Sequence, residues 1–484
     1  TIDSLQVDFN HKDGNSIEFS RDGLVPYANT NTGPQIQTAD LNNDGLDDFI
    51  ILGAKAQKTT IFFQNKTGNF TQSFLPDADE DAINEDTAAA LFDADDNGTL
   101  DIVIASGGNE FKNGKALTPR LYLNTKGSFE KVNNAFEGIE LNASKIKAVD
   151  LDKDGKLDLV ITSDLVPHEF GATPKQYIFK NSGKGKFENI TATYAPEFAT
   201  LGNVKDIIWA DLDVNGYPDA IVCGHWMPIQ ILMNSGSKLE LQNIESLKNT
   251  NGLWNSILVE DFDQDGDLDM IAGNWGLNTR LKASLEQPIN LYRFDFDANS
   301  KTDPVTSYYY KGSETVLATK DELVKQLPFL NKKFLSYHAF AQASITDLFS
   351  EEKLEKAEKK QVFKLASTYF ENVGNLEFKA HHLPFMAQVS TVKVITATDF
   401  NEDGLNDLLL LGNDSEISTQ LGRLDASHGV FLLNTGNNFK YAGQHKIDIK
   451  GAVRSIAPLK IKDNPYYIIG RNNDKPLFLR KENN

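Results

Sequence analysis

Seven stretches of this chain follow the pattern Asp-x-[Asp/Asn]-x-[Asp/Asn]-[Gly/Ser]-x-x-Asp. In a tight loop, side chains at the first, third and fifth positions converge on one point, and a glycine in sixth place permits the sharp turn. The carbonyl of the seventh residue then points inward, and a carboxylate in ninth place closes a shell of hard oxygen donors suited to Ca2+. The side-chain donors and seventh-residue carbonyls are Asp40, Asn42, Asp44, Asp48 with Leu46; Asp93, Asp95, Asn97, Asp101 with Thr99; and Asp150, Asp152, Asp154, Asp158 with Lys156. They continue as Asp211, Asp213, Asn215, Asp219 with Tyr217; Asp261, Asp263, Asp265, Asp269 with Asp267; Asp295, Asp297, Asn299, Asp303 with Lys301; and Asp399, Asn401, Asp403, Asp407 with Leu405. Asp, Asn and Gly are good turn formers, which would explain one or two copies but not an aspartate at both ends of all seven. Up to seven Ca2+ ions are expected, with the 295–303 loop the weakest because Ser300 replaces glycine.

The elements around the loops exclude the helix-loop-helix calcium site, which needs a glutamate in twelfth place. Here the twelfth residue is Ile51, Ile104, Ile161, Val222, Ala272 or Leu410 in six copies, and each closing aspartate enters an apolar run such as "FIILG", "LVITS" or "LLLLG". A short apolar segment precedes each loop, and an aromatic-rich strand-turn-strand follows, as in "RLYLNTKGSFEKV" and "VFLLNTGNNFKYA". Four strands per unit, repeated every 40–60 residues or so, predict an all-β fold with a single β-propeller over 1–484. Strand counting favours eight blades, with seven the alternative if 290–384 only elaborates the fifth. A helical insertion is expected at about 320–361, including "SEEKLEKAEKKQ" with Ser350 as N-cap. The last blade, about 452–480, lacks an Asp loop, and a strand at about 4–10 is expected to complete it and close the ring.

Composition narrows the function classes. The net charge of −20 argues against nucleic acid and against adsorption to anionic membrane. Cys223 is the only cysteine, so there is no disulfide framework and no cysteine-based zinc site; it reads as a small buried hydrophobe. No apolar run is long enough to span a bilayer. The chain opens "TIDSLQVDF", without an initiator Met, and is expected to be processed, with any signal or lipid anchor upstream.

These loops resemble those of the FG-GAP/VCBS-repeat family of propellers. More narrowly, "CGHWMPIQI" (223–231), "AGNWGLNT" (272–279), "INLYRFDFDANSKTDPV" (289–305) and "GRLDASHG" (422–429) resemble large VCBS-repeat surface lipoproteins associated with TonB-dependent transporters of Gram-negative bacteria. Ser300, His225 and the loopless last blade depart from the usual pattern. The resemblance implies a calcium-stabilised module at the cell surface, acting in recognition or assembly with an outer-membrane complex or transporter, and without a shared catalytic constellation.

No H-E-x-x-H, G-x-S-x-G or phosphate loop is present, and His381-His382 reads as a solvated blade edge. The protein is therefore expected not to be an enzyme, the alternative being a glycan-binding propeller or a polysaccharide lyase or hydrolase. Ligand-binding candidates are Trp226 and Trp275 in connecting loops, with Arg280 and Arg423 in similar connections; the competing expectation is that both Trp side chains pack between blades.

Overall fold

A computed structural model describes residues 5–14, 18–443 and 447–480. In six of the seven Asp loops the closing aspartate begins a strand buried along its length, for example Asp48–Ile51, Asp158–Leu165 and Asp407–Gly412, while Asp303–Tyr310 becomes exposed towards its end. Such strands lie inside a sheet covered on both faces, so they read as continuous apolar runs rather than alternating ones. Alternate side chains serve different neighbours: Ile50 packs towards the following sheet, while Phe49 and Ile51 pack towards the last one. Each such buried side chain contributes roughly 1.5–3 kcal/mol relative to exposure.

The described residues form eight antiparallel sheets, of which seven are blades of the ring. Their first strands are Ile36–Ala39, Asp86–Phe92, Asn142–Val149, Asn203–Ala210, Ser256–Glu260, Val392–Thr398 and Ala452–Ile461. Each neighbours the next, and the last neighbours the first. Seven apolar clusters fill the spaces between consecutive blades, including the space between blades seven and one. The favoured count of eight blades is thus corrected to seven, the alternative.

The eighth sheet interrupts blade five. Its strands Ile289–Phe294, Asp303–Tyr310, Ser313–Val316 and Glu358–Val362 pair only with one another. They lie between the second strand of blade five, Asp269–Gly273, and its third, Thr368–Asn372. Ala272 pairs directly with Thr368, so the insertion leaves and rejoins the ring at one rung. It is larger than the expected 320–361, and residues 358–362 are a strand rather than the end of a helix. Its helices include Lys320–Gln326 and Ile345–Leu348, each begun by a capping box (Thr319 with Glu322, Ser344 with Asp347), and Glu351–Lys356 after Ser350. Their apolar sides, among them Leu323, Leu330, Leu348 and Phe349, pack on Tyr292, Phe296 and Val305 of the sheet.

Blade seven has three strands, Ala452–Ile461, Asn464–Asn472 and Leu477–Leu479. The expected closing strand at 4–10 does not form among the described residues, which exclude residue 4. Instead Leu5, Val7 and Phe9 pack as an irregular segment against the cluster joining blades seven and one, and the His11 amide donates to the Asp474 carbonyl at 3.1 Å. The ring therefore closes through side chains and packing rather than a shared ladder.

Asp loops join first strands to second strands and so share one face of the ring. Chain leaving the second strands emerges on the opposite face, where the insertion sits. A cluster of Tyr27, Phe170, Trp226, Trp275, Leu291 and Val362 fixes the insertion there.

Candidate metal centres

All seven Asp loops share one backbone course. The fourth residue has positive φ in each, and so does the sixth, including Ser300 at φ 67° where the others have glycine. The 295–303 loop is therefore not distorted, although a non-glycine residue in that region costs about 1–2 kcal/mol. The first aspartate accepts the backbone N–H of the sixth residue in every loop, at 2.7 to 3.1 Å. The fifth side chain accepts the N–H of the seventh residue (Leu46, Thr99, Lys156, Tyr217, Asp267, Lys301 or Leu405) at 2.7 to 2.9 Å.

The ninth-position aspartates are almost fully buried. One oxygen of each accepts the N–H of the loop's second residue, as Asp48 does from Leu41 at 3.0 Å and Asp219 from Leu212 at 2.8 Å. In the six ring loops the other oxygen accepts the N–H of a residue at or next to the end of the third strand: Gln64, Asn124, Asn181, Asn234, Asn372 or Asn434. In the insertion this partner is the Gln326 side chain, 2.7 Å from Asp303. Burial, reinforced by the neighbouring loop carboxylates, pushes Asp48 up to about 7 and Asp101 and Asp269 up to about 6.

The donor chemistry fits Ca2+. One oxygen from each member lies within 4.8 Å of the others in Asp93/Asp95/Asp101, Asp150/Asp152/Asp154, Asp211/Asp213/Asp219, Asp261/Asp263/Asp265 and Asp295/Asp297/Asp303. Asp150 Oδ1 and Asp297 Oδ1 are buried without a hydrogen-bond partner. In the 40 and 399 loops the third position is an amide, and Asn42 and Asn401 donate to Asp44 and Asp403 at 3.3 and 2.7 Å. Those amides must turn their oxygens inward to join a calcium shell.

Blade three differs from the rest. The Lys180 ammonium lies 2.6 Å from Asp152, 2.7 Å from Asp154 and 3.6 Å from Asp158. Burial opposes its charge, but the bonds to Asp152 and Asp154 outweigh this and hold its pKa above the ordinary lysine value. In blade five the residue in the same register is Glu371, which bonds His381 Nε2 at 2.7 Å. His381 also stacks on Tyr369, whose hydroxyl donates to Asp269 at 3.0 Å.

The residues ending the third strands are the functional side chains that the sequence reading passed over. Each of the five asparagines donates its side-chain amide to the carbonyl before its own closing aspartate. Three also reach the preceding blade: Asn124 to the Leu41 carbonyl at 2.7 Å, Asn234 to Leu151 at 2.9 Å and Asn434 to Phe262 at 2.8 Å. Gln64 does the same to Lys460 at 2.9 Å. The signal was present as an Asn two residues before a turn glycine in "KNSGKG", "MNSG", "ENVG" and "LNTG".

The four candidate ligand contacts do not form one site. Trp226 and Trp275 are buried, packed in the cluster that joins the ring to the insertion. Tyr27 bonds Trp226 Nε1 at 2.9 Å and His225 Nδ1 at 2.8 Å, and the insertion covers this cluster. Arg280 is exposed, its guanidinium 5.4 Å from the centre of the Tyr308 ring, and Arg423 is exposed on the long connection of blade six.

Residues 40–104 and 93–161 match the FG-GAP-like repeat. No curated protein matches the chain. Among solved structures, the chain is similar to the biofilm matrix protein Bap1 of V. cholerae, at 10% identity over 99% of this chain and 91% of that one, with a TM-score of 0.40. It is also similar to Sqt1 of Saccharomyces cerevisiae, at 9% identity over 96% and 98% of the two chains, TM-score 0.42. A third is YCF48 bound to D1 peptide, at 10% identity over 95% and 98%, TM-score 0.39.

Proposed function

We propose that this chain is a calcium-stabilised extracellular propeller that works without catalysis, as a recognition or assembly module of an outer-membrane surface complex. One observation carries the reading. Each ring loop's closing aspartate is buried and spent on binding backbone N–H groups of both its loop and its third strand. Metal held there stiffens the blade, and the carboxylates are committed to that task rather than to acid–base chemistry.

Extracellular calcium modules bind with Kd of about 10⁻⁴–10⁻³ M. Cytosolic calcium is far below that range, which supports a location outside the cell. The opposite face, with its insertion, is the surface left for a partner. No helix among the described residues is long and apolar enough to cross a membrane, so association with a membrane complex would run through protein contacts or an anchor. The test is extraction of the native protein in mild detergent with calcium present. Co-migration with an outer-membrane protein or transporter is expected; migration alone sinks the assembly reading. Reproducible release of reducing or unsaturated ends from a glycan panel would overturn the non-catalytic one.

A further inference from the structure

We propose that the mouth of the propeller axis, on the face opposite the Asp loops, binds a small hydroxylated carboxylate of the sugar-acid class. This rests on the recognition reading and names the ligand chemistry of one site on that face.

The charge there runs against the rest of the molecule. The chain carries −20 overall, yet the axial cavity is lined by four cations, Lys145, Lys205, Lys393 and Arg454, against two carboxylates, Asp164 and Asp414. Lys205 pairs with Asp164. Lys393 lies 3.0 Å from Asp414, and Arg454 lies 3.7 Å from the same carboxylate. Lys145 has its nearest carboxylate, Asp206, at 3.6 Å. Asp414 thus serves two cations, and Lys145 has only a long pair. Burial pulls the Lys393 ammonium down to about 8 even with Asp414 beside it. Crowded cations of this kind are costly unless an anion joins them, and a charge-assisted bond to a carboxylate supplies the missing partner.

The neutral lining asks for something further. Asn31 is 8% exposed and its Oδ1 has no hydrogen-bond partner, and the Thr32 hydroxyl is likewise unpartnered. A bare carboxylate offers Asn31 Oδ1 no donor, whereas a hydroxyl on the same ligand does. Tyr27 and Trp275 supply an aromatic wall. The cavity, about 90 Å³, admits a carboxylate with its adjoining hydroxylated carbons rather than an oligosaccharide.

The experiment titrates the full calcium-loaded chain with galacturonate, galactose and acetate, reading heat of binding and the fluorescence of the buried Trp cluster. Galacturonate is expected to bind; galactose, which lacks the charge, is not; acetate, which lacks the hydroxyls, should bind about tenfold or more weakly. Lys145→Met should weaken galacturonate about tenfold or more. Thr32→Val should weaken galacturonate while leaving acetate unchanged, and melting in calcium verifies that both variants fold. Galactose binding as tightly as galacturonate, acetate matching galacturonate, no binding at millimolar concentrations, or an unaffected Lys145→Met variant each overturns the proposal. If the pocket fails while a membrane partner still co-purifies, only the pocket is lost; if both fail, the recognition reading goes too.

Discussion

Blades three and five each place four carboxylates at the first, third, fifth and ninth positions of their Asp loops. In blade three the third strand brings Lys180 into that group, within 2.7 Å of Asp152 and Asp154. In blade five the same register holds Glu371. Burial raises the pKa of Asp263, with further contributions from the charges on Asp265, Asp261 and Glu371. One loop carries a cation on a tether inside its carboxylate group, while the other faces a further carboxylate, whose own partners, Lys379 at 3.6 Å and His381 at 2.7 Å, lie on the fourth strand. The number of carboxylates therefore does not rank these sites. The side chain facing them from the third strand does, and it predicts strong calcium binding in blade five and weak binding in blade three.

Chelation should have the largest effect. At calcium concentrations about 100-fold above Kd, each site stabilises the native state by about 2.7 kcal/mol, so EDTA should lower the melting temperature by about 10 °C or more. An unchanged melt would remove calcium from the scaffold altogether. Next comes the exchange between the two blades. Lys180→Met should add one bound calcium, counted by native mass spectrometry, and should destabilise the protein in EDTA by about 2 kcal/mol, with most of that loss recovered in calcium. Glu371→Lys should remove one ion. If neither count changes, Lys180 is an ordinary surface lysine and the contrast between the blades disappears.

Smaller differences separate the asparagines. Asn234→Ala loses the amide's bonds to Pro218 and to Leu151 of blade three and the bonds its Oδ1 accepts from Gly236 and Tyr194, whereas Asn181→Ala loses only a bond to the Leu157 carbonyl and one accepted from the Gly183 N–H. Urea unfolding should show about 2 kcal/mol for the first and about 1 for the second; equal costs would mean the cross-blade bond adds nothing. The smallest change should come from Ser300→Gly, which relieves a positive φ and should raise stability by about 1 kcal/mol.

The Asp loops were legible in the sequence because their ligands lie within nine residues of one another. Ring closure was not. The inserted sheet carries its own Asp loop and its own hairpin, so Asp295–Asp303 looks locally like another blade, and only the pairing of Ala272 with Thr368 removes it from the ring. The fate of Trp226 and Trp275 was hidden for a similar reason. What covers them is Tyr27 and the insertion, far away in the chain. Lys180 was visible as the K in "YIFKN", but its meaning needs the third strands aligned against one another, where it stands opposite Phe63, Leu123, Met233, Glu371 and Leu433.

Between blades seven and one the ring is held by contacts such as the Gln35 amide to the Arg454 carbonyl at 3.1 Å, the Ser455 hydroxyl to the Pro34 carbonyl at 2.8 Å and the Asn472 amide to the Gly33 carbonyl at 2.8 Å. These join residues more than 400 positions apart; among the described residues each blade is a separate sheet, and this is the junction that no chain connection bridges. The circle consequently has a seam. During synthesis it is the last junction able to form, and in the finished molecule it is where a partial opening can begin unopposed by a chain connection between the two blades. A load pulling on either chain end would reach this junction first, so a protein tethered at one terminus would yield there while its other six junctions stayed shut.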